Sequence, residues 1–574
     1  MRGALTLVFC VVSIGLLASP AHASGPLPPV GAPWPFAQLP AGVGVSPGAA
    51  ERIADRTAVT RRLRAAHPGI RPRVFFKREP KGRGVWEVTY PGHRNELAEV
   101  DVDGRSGRVI ATWTGWLANY RLARGHMGAA ANSWWIWLPL CLVFVLAFFD
   151  FRRPLRMLHL DLLALLGFGV SQLFYNHGRV LVSVPLVIPV LAYLLVRMLW
   201  LGFGGGRGSG PLVPHARTSW LVVGLVILVA FRAFVNVHTD TVSDIGEGGV
   251  LGAGAIEHNR PIYVGDRLHR DTYGPLNYVA YVPFVLVSPS SLWLQSRPAA
   301  HMASIFFDLL VLLALFLAGR RLRAGPEGTK LGVALAFAWA AYPYTLFALA
   351  LNTNDALVAA LMLLAFVALR SPRPRGVLLG AGIAAKFAPL ALVPLFAAGT
   401  GDRRPRPVAA FAAGLAATVV LLFAHYMPSS GISGLWDLTV GYQLHRVTPF
   451  SVWTLYPSLH RLKLALELGV VALALAVAVV PRRRSGAQVA ALSAAVLIAV
   501  QLLGSYWFYF YVVWFAGFVL IASFAQHLDE EPPSAGPVAR ASRAAAAARA
   551  RRPAPPAPTP RPSPGRGGRG RAAR

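Results

Sequence analysis

The sequence is poor in groups that titrate or cross-link. Of its 574 residues only 14% are charged, 25 are acidic and two are cysteine. A soluble chain carries about 25% charged residues, so a soluble enzyme and a disordered protein are both excluded. Cys10 and Cys141 lie in apolar segments, which leaves no disulfide framework. Lysine occurs at five positions only: Lys77, Lys81, Lys330, Lys386 and Lys463. Zinc-ligand spacings, a nucleotide phosphate loop and a clear internal repeat are all missing. The missing phosphate loop argues against an ATP-driven pump, and the missing repeat against a transporter built from inverted repeats. The sequence implies no cofactor and no metal ligand set, and leaves a divalent ion open.

Apolar runs are abundant. Hydrophobic residues make up 55% of the chain and mean hydropathy is +0.49. Several runs approach the ~20 residues that cross a bilayer, which predicts an all-α polytopic membrane protein. The formal net charge of +31 fits basic loops against anionic lipid and a basic tail, with no nucleic acid as partner.

Five regions follow along the chain. Residues 1–23 combine Arg2, an apolar run over 4–18 and Ala21-His22-Ala23, the pattern of a secretory signal peptide. An uncleaved anchor is the alternative. Residues 24–130 are the only soluble-looking part: a Pro/Gly linker, a helical stretch over 49–66 with Ile53, Val59 and Leu63 at helical spacing, then strands near 74–77, 84–90, 97–102 and 109–114. Asp103-Gly104-Arg105-Ser106-Gly107 reads as the turn of the last hairpin. This predicts a small α+β module on the extracytoplasmic side. Residues 131–218 supply accessory spans, 219–525 the core spans, and 526–574 a disordered, Arg-rich cytoplasmic tail.

Eleven spanning helices are expected, at about 134–150, 158–175, 180–199, 219–236, 299–318, 329–350, 355–369, 408–427, 461–480, 487–503 and 506–525. Arg152, Arg153, Arg156, Arg197, Arg207, Arg217, Arg320, Arg321, Arg323, Arg370, Arg373, Arg375 and Arg482–Arg484 mark the cytoplasmic ends. One apolar run, 376–398, has basic residues on both flanks. A re-entrant or split helix keeps both flanks on one side, with Lys386 near its apex and Gly380, Gly382 and Pro389 at the break. A single ordinary span is the alternative. The loops 237–298, 351–354 and 428–460 then face outward.

The chemistry concentrates in those loops. Asp244 follows a spanning helix directly, with Glu247 one turn on. Val250, Leu251, Ala255 and Ile256 predict an amphipathic helix lying on the membrane, and 275–287 a second. An acid at the mouth of an outer loop suits a general base for a hydroxyl acceptor; a plain helix N-cap is the alternative. Asp271, just before Tyr273, is a second candidate acid or a turn residue. Lys386 is the only lysine within an apolar run, and an intramembrane charge is a functional hypothesis. A lipid phosphate would pair it; snorkelling or a structural acid such as Asp308 is the alternative. Asn352, Asn354 and Asp355 suit sugar hydroxyls or a helix cap. In the last outer loop Trp436, Gln443 and His258 from the first suit sugar, and His445 and Arg446 suit phosphate. Arg232, Asp161 and His301 are expected in interhelical pairs.

The segments DIGEGGVLGAGAIEHNRPIY, DTYGPLNYVAYVPF, NTNDALVAALML and AAKFAPLALVPLF resemble the polyprenol-phosphate-mannose-dependent mannosyltransferases of glycosyltransferase family 87, within the C superfamily of glycosyltransferases. The likeness covers roughly 219–525; three extra helices and the N-terminal module precede it. The segment AEVDVDGRSGRVIATWTG resembles a PepSY-type domain, which implies a binding or regulatory module. The family resemblance implies an inverting hexosyltransferase of the cytoplasmic membrane, with its active site outside. Its partners would be a polyprenyl-phosphate sugar donor, a glycan or glycolipid acceptor and membrane lipids. It implies Asp244 as base and Lys386, helped by His445 or Arg446, on the donor phosphate. The competing expectation is a non-catalytic transporter or a sensor built on the N-terminal module.

Overall fold

The computed structural model describes residue 39 and residues 42–527, apart from 79–82, 93–95, 126–128, 207, 209, 215–216, 239–241, 266–270, 289–297 and 402–403. The expected signal peptide and nearly all of the expected tail lie outside the described residues.

The N-terminal module is two short helices on an antiparallel meander. Ser46 accepts from Ala49 N and opens helix Pro47–Asp55; Thr57 accepts from Thr60 N and opens helix Ala58–Ala66. Strands β1 (Arg73–Arg78), β2 (Gly84–Pro91), β3 (Glu96–Asp103) and β4 (Val109–Thr114) pair in chain order. Alternation sets the register. Trp86, Val88 and Tyr90 lie opposite Val102, Val100 and Ala98 and bury against Ala50 and Ala54. The expected turn forms as read, with Asp103 Oδ1 accepting from Arg105 N at 3.1 Å and Ser106 N at 2.7 Å. The other sheet face carries Glu87, Glu99 and Asp101, whose carboxylate oxygens gather within 4.8 Å. Arg124 reaches Glu99 at 2.8 Å, Lys77 reaches Glu87 at 3.5 Å, and Arg121 reaches both acids, so the chain's own cations neutralise this cluster. Burial still pushes Asp101 up to about 6.

The remainder is helical. Seven helices among the described residues are long and apolar enough to cross a membrane: Met157–Asn176, Val180–Gly202, Thr218–Val237, Pro298–Leu322, Pro405–His425, Pro457–Val479 and Gly486–Leu503. An eighth is broken by 60° between Gly325–Ala341 and Pro343–Ala350. Pro343 lacks an N–H and disfavours helix at Tyr342. Thr345 Oγ1 donates to the carbonyls of Trp339 and Tyr342, and Arg232 donates to that of Ala340, so the freed groups are paired inside the bundle. Shorter apolar helices run Trp134–Leu146, Asp355–Val367 and Tyr509–Phe524.

Loop contacts divide the bundle into two poles. At one, Arg156 donates to Gly210 O and Pro211 O, Arg323 to Ala525 O, and Arg484 N to Thr400 O. At the other, Tyr175 donates to Leu122 O, Ser243 N to Leu351 O, and Thr448 to Ser505 O. The arginine-rich helix ends gather at the first pole and the sequence-predicted site loops at the second.

The run 376–398 doubles back. Helix Pro372–Ala385 ends at Lys386, whose backbone is extended at φ −147°, and a short turn leads into helix Val393–Ala398. Arg375 donates to Ala397 O at 3.4 Å, so the segment returns to the pole it leaves. The break falls at Lys386, the expected apex. Gly380 is not at the break, as expected from sequence, but in mid-helix against Leu415. A further correction concerns 275–287. It forms two short helices, Leu276–Val279 and Val282–Val287, and every residue over 276–282 is buried. It is part of the core and does not lie flat on the membrane.

The expected interhelical pairs form. Arg232 makes a two-pronged contact with Asp308 at 2.7 and 3.0 Å, and Trp339 Nε1 adds a third bond to that carboxylate at 2.9 Å. Arg197 pairs with Asp161 at 2.9 Å and His301 with Asn236 at 3.1 Å. Removing one member of a buried pair strands its partner at a cost of about 3–5 kcal/mol. Arg232→Met is therefore expected to lower unfolding stability in detergent by that amount, and Arg232→Met with Asp308→Leu to recover most of it; an unchanged melting temperature for the single variant would contradict the network.

Candidate active site

The site is assembled at the second pole by three close backbone approaches. Ser243 caps helix Asp244–Glu257 through its hydroxyl, which accepts from Gly246 N at 3.2 Å. Ser243 N also donates to Leu351 O at 2.9 Å. A Cβ on Gly246 would stand 2.2 Å from Asn352 O, so only glycine lets this helix start sit on the bend after Ala350. Asn352 itself holds φ +53° and accepts from Asn236 Nδ2 at 2.8 Å. The third approach is Gly274, where a Cβ would lie 2.2 Å from Ala384 O. That contact places Tyr273 beside the helix break at Lys386.

Lys386 is 5% exposed and its ammonium lies 2.6 Å from Asp355 Oδ1. Asp355 is fully buried and its Oδ1 also accepts from Trp514 Nε1 at 2.8 Å, while Oδ2 has no hydrogen-bond partner. The rings of Tyr273, Trp514 and Tyr511 surround the ammonium at 5.4, 5.4 and 5.6 Å. Burial makes such a charge costly, and a carboxylate plus aromatic faces offset that cost. The sequence reading offered Asp308 as the structural partner of Lys386; the partner is Asp355, and Asp308 belongs to Arg232. Asp355, read as a sugar contact or helix cap, is thus half of an ion pair.

Asp244 lies within electrostatic reach of Lys386. Asp244 is exposed at the first position of its helix, its Oδ1 accepting from Ile245 N at 3.0 Å. Its charge acts on the Lys386 ammonium and on the hydroxyls of Tyr273 and Tyr506. Arg446 completes the group. Its guanidinium lies 4.2 Å from the Tyr506 ring centre and 5.8 Å from that of Tyr442, with Tyr273 and Tyr511 in electrostatic reach. Among the described residues it has no carboxylate partner, and its buried Nε has no acceptor. An arginine held by aromatic faces without an anion is a ready site for one.

The other sequence-predicted residues serve the frame or stand apart. Glu247 is half-buried one turn after Asp244. Asp271 Oδ2 accepts from Val264 N at 3.0 Å and Gly265 N at 2.7 Å; it braces its own loop, the turn role that was the alternative. Asn354 donates to Asn277 Oδ1. His258 and His445 each bond a carbonyl four residues earlier, Gly254 and Gly441, at 2.8 Å. That anchors both rings to their helix ends, and neither reaches the Lys386 pair. Trp436 is 52% exposed and Gln443 half-exposed. Sequence reasoning missed Tyr506, Tyr511 and Trp514. The aromatic run 505–514, opening the last helix at the same pole as Asp355, was the available signal.

The two glycines nearest this frame give opposite expectations. Gly274→Ala forces a side chain onto backbone and is expected to cost about 1–3 kcal/mol of unfolding free energy. Gly254→Ala meets nothing within 4 Å on the same loop's helix and is expected to be neutral or to stabilise by up to about 1 kcal/mol. Equal behaviour of the two in a detergent melt would refute the packing described.

No curated protein matches the chain. Residues 272–505 match the family model of glycosyltransferase family 87. That stretch includes Tyr273, Asp355, Lys386 and Arg446 and ends just before Tyr506, Tyr511 and Trp514. Over residues 272–505 the chain is similar to glycosyltransferase family 87, a family of membrane glycosyltransferases with the GT-C fold.

Proposed function

We propose that the chain is an inverting hexosyltransferase that takes its sugar, mannose by family resemblance, from a polyprenyl phosphate at the outer membrane face. The observation that carries this is the grouping of an exposed acid, Asp244, with the buried Lys386 and the anion-free Arg446. The exposed end of an acid suits a base, and a guanidinium beside an ammonium suits a phosphate.

The step runs as follows. The acceptor hydroxyl oxygen attacks the anomeric carbon from the face opposite the phosphate. Its proton passes to the Asp244 carboxylate. The bond from anomeric carbon to phosphate oxygen breaks, and its electron pair leaves with the polyprenyl phosphate. Arg446 offers a planar fork to the charge that develops there. Lys386 has three donors and spends one on Asp355, so the remaining two are open to the same phosphate. A glycan or glycolipid supplies the hydroxyl.

Positive charge at the first pole supports its assignment to the cytoplasm. Seven long helices, the bent one and the three shorter ones then give eleven crossings, with 372–398 as a re-entrant hairpin. The N-terminal module lies outside, and its helix pair and meander support the PepSY-like reading. The match to a transferase family removes the ground for the transporter or sensor alternative.

Asp244→Asn is expected to cut transfer from polyprenyl-phosphate mannose at least ~100-fold in proteoliposomes without changing donor binding. Arg446→Ala is expected to weaken donor binding. Full transfer by Asp244→Asn would remove it as the base.

A further inference from the structure

The connector between the N-terminal module and the first membrane helix reaches the site described above. It comprises helix Trp116–Asn119 and the turn Arg121–Arg124. The sheet grips it through Arg121 on Glu87 and Glu99, Arg124 on Glu99 at 2.8 Å, and Asn119, which exchanges bonds with the backbone of Glu96 at 2.7 and 3.0 Å. The membrane bundle grips it as well: Ala123 is 1% exposed in the bundle core, and Tyr175 OH donates to Leu122 O at 2.8 Å. Tyr120, between these two anchors, projects to the last outer loop. Its hydroxyl donates to Val447 O, the carbonyl of the residue that follows Arg446.

This arrangement matters because Arg446 is otherwise held only by ring faces. The Tyr506 and Tyr442 rings fix its plane but not its rotation within that plane. A hydroxyl that donates to the next residue's carbonyl pins the backbone that carries the guanidinium. Tyr120 thereby fixes where Arg446 starts from, which the aromatic faces do not.

We infer that Tyr120 is a positioning residue for the transfer reaction, fixing Arg446 for the donor phosphate and thereby making the N-terminal module part of the donor site. The inference rests on the proposed role of Arg446 at a phosphate. It gives the extracytoplasmic module a direct route to the chemistry: any ligand that shifts the sheet against the bundle moves Tyr120 and changes donor affinity.

The test uses the full chain in nanodiscs with two readouts, the Kd for polyprenyl monophosphate and the KM and kcat for polyprenyl-phosphate mannose. Tyr120→Phe keeps the ring and removes the hydroxyl. It is expected to raise Kd and donor KM about five-fold, the size of one hydrogen bond between neutral groups, with kcat and the melting temperature unchanged. In an Arg446→Ala background the same substitution is expected to have no further effect. An unchanged Kd for Tyr120→Phe overturns the inference, as does a full additional loss in the Arg446→Ala background. Wild-type protein that binds the lipid phosphate with the Tyr120 dependence intact, yet transfers no sugar, overturns the proposed reaction and leaves the inference standing.

Discussion

A buried ammonium must be paired, and that requirement organises the second pole of this protein. Lys386 sits where a helix breaks inside the bundle. A lysine there without a carboxylate would carry a desolvation cost of several kcal/mol. Asp355 meets it at 2.6 Å, at the first position of the helix that follows the bend after Ala350. The break, the bend and the last helix, through Trp514, are thus locked to one carboxylate. Around that lock the chain packs backbone on backbone, at Gly246 over Asn352 and at Gly274 over Ala384. Asp244 and Tyr273 then have little choice of position.

The pair also divides the labour of the site. Lys386 is neutralised by Asp355, whereas Arg446 has no carboxylate partner among the described residues. In the proposed reaction the cation without a carboxylate partner is the stronger anchor for an incoming phosphate, and Lys386 is a second contact already held by Asp355. The sequence reading put Lys386 first on the phosphate, with His445 or Arg446 helping; the proposed site gives Arg446 the larger part. Its reasoning, that an intramembrane lysine signals function, leads to the same pocket as the one proposed for the donor. What the sequence did not reveal is the lysine's partner, Asp355, which stands 31 residues earlier and is brought near only by the fold.

Legibility followed the range of the forces. Helix positions were readable to within a few residues because apolar run length is a local property, and the last hairpin of the N-terminal module because Asp103 and its glycines act within five residues. The hairpin 372–398 was readable from charge on both flanks of one run. The buried course of 276–282 was not, since a short apolar run reads alike as an interfacial helix or as core. Asp271, His258 and His445 are ambiguous for another reason: each bonds nearby backbone, and side chains of these types serve caps and loops as readily as ligands. Tyr120 lies 326 positions before Arg446 in the chain, and no local pattern connects them.

The account rests on one pocket holding a lipid phosphate between Arg446 and Lys386 with the sugar turned toward Asp244. An electron cryomicroscopy map of the protein in nanodiscs with a non-hydrolysable polyprenyl-phosphonate sugar examines this directly. The expected result is phosphonate oxygens within hydrogen-bonding distance of both cations and the anomeric carbon facing the Asp244 carboxylate. Phosphonate density at the arginine-rich pole, or beside Asp244 with Arg446 still facing only tyrosine rings, would contradict it.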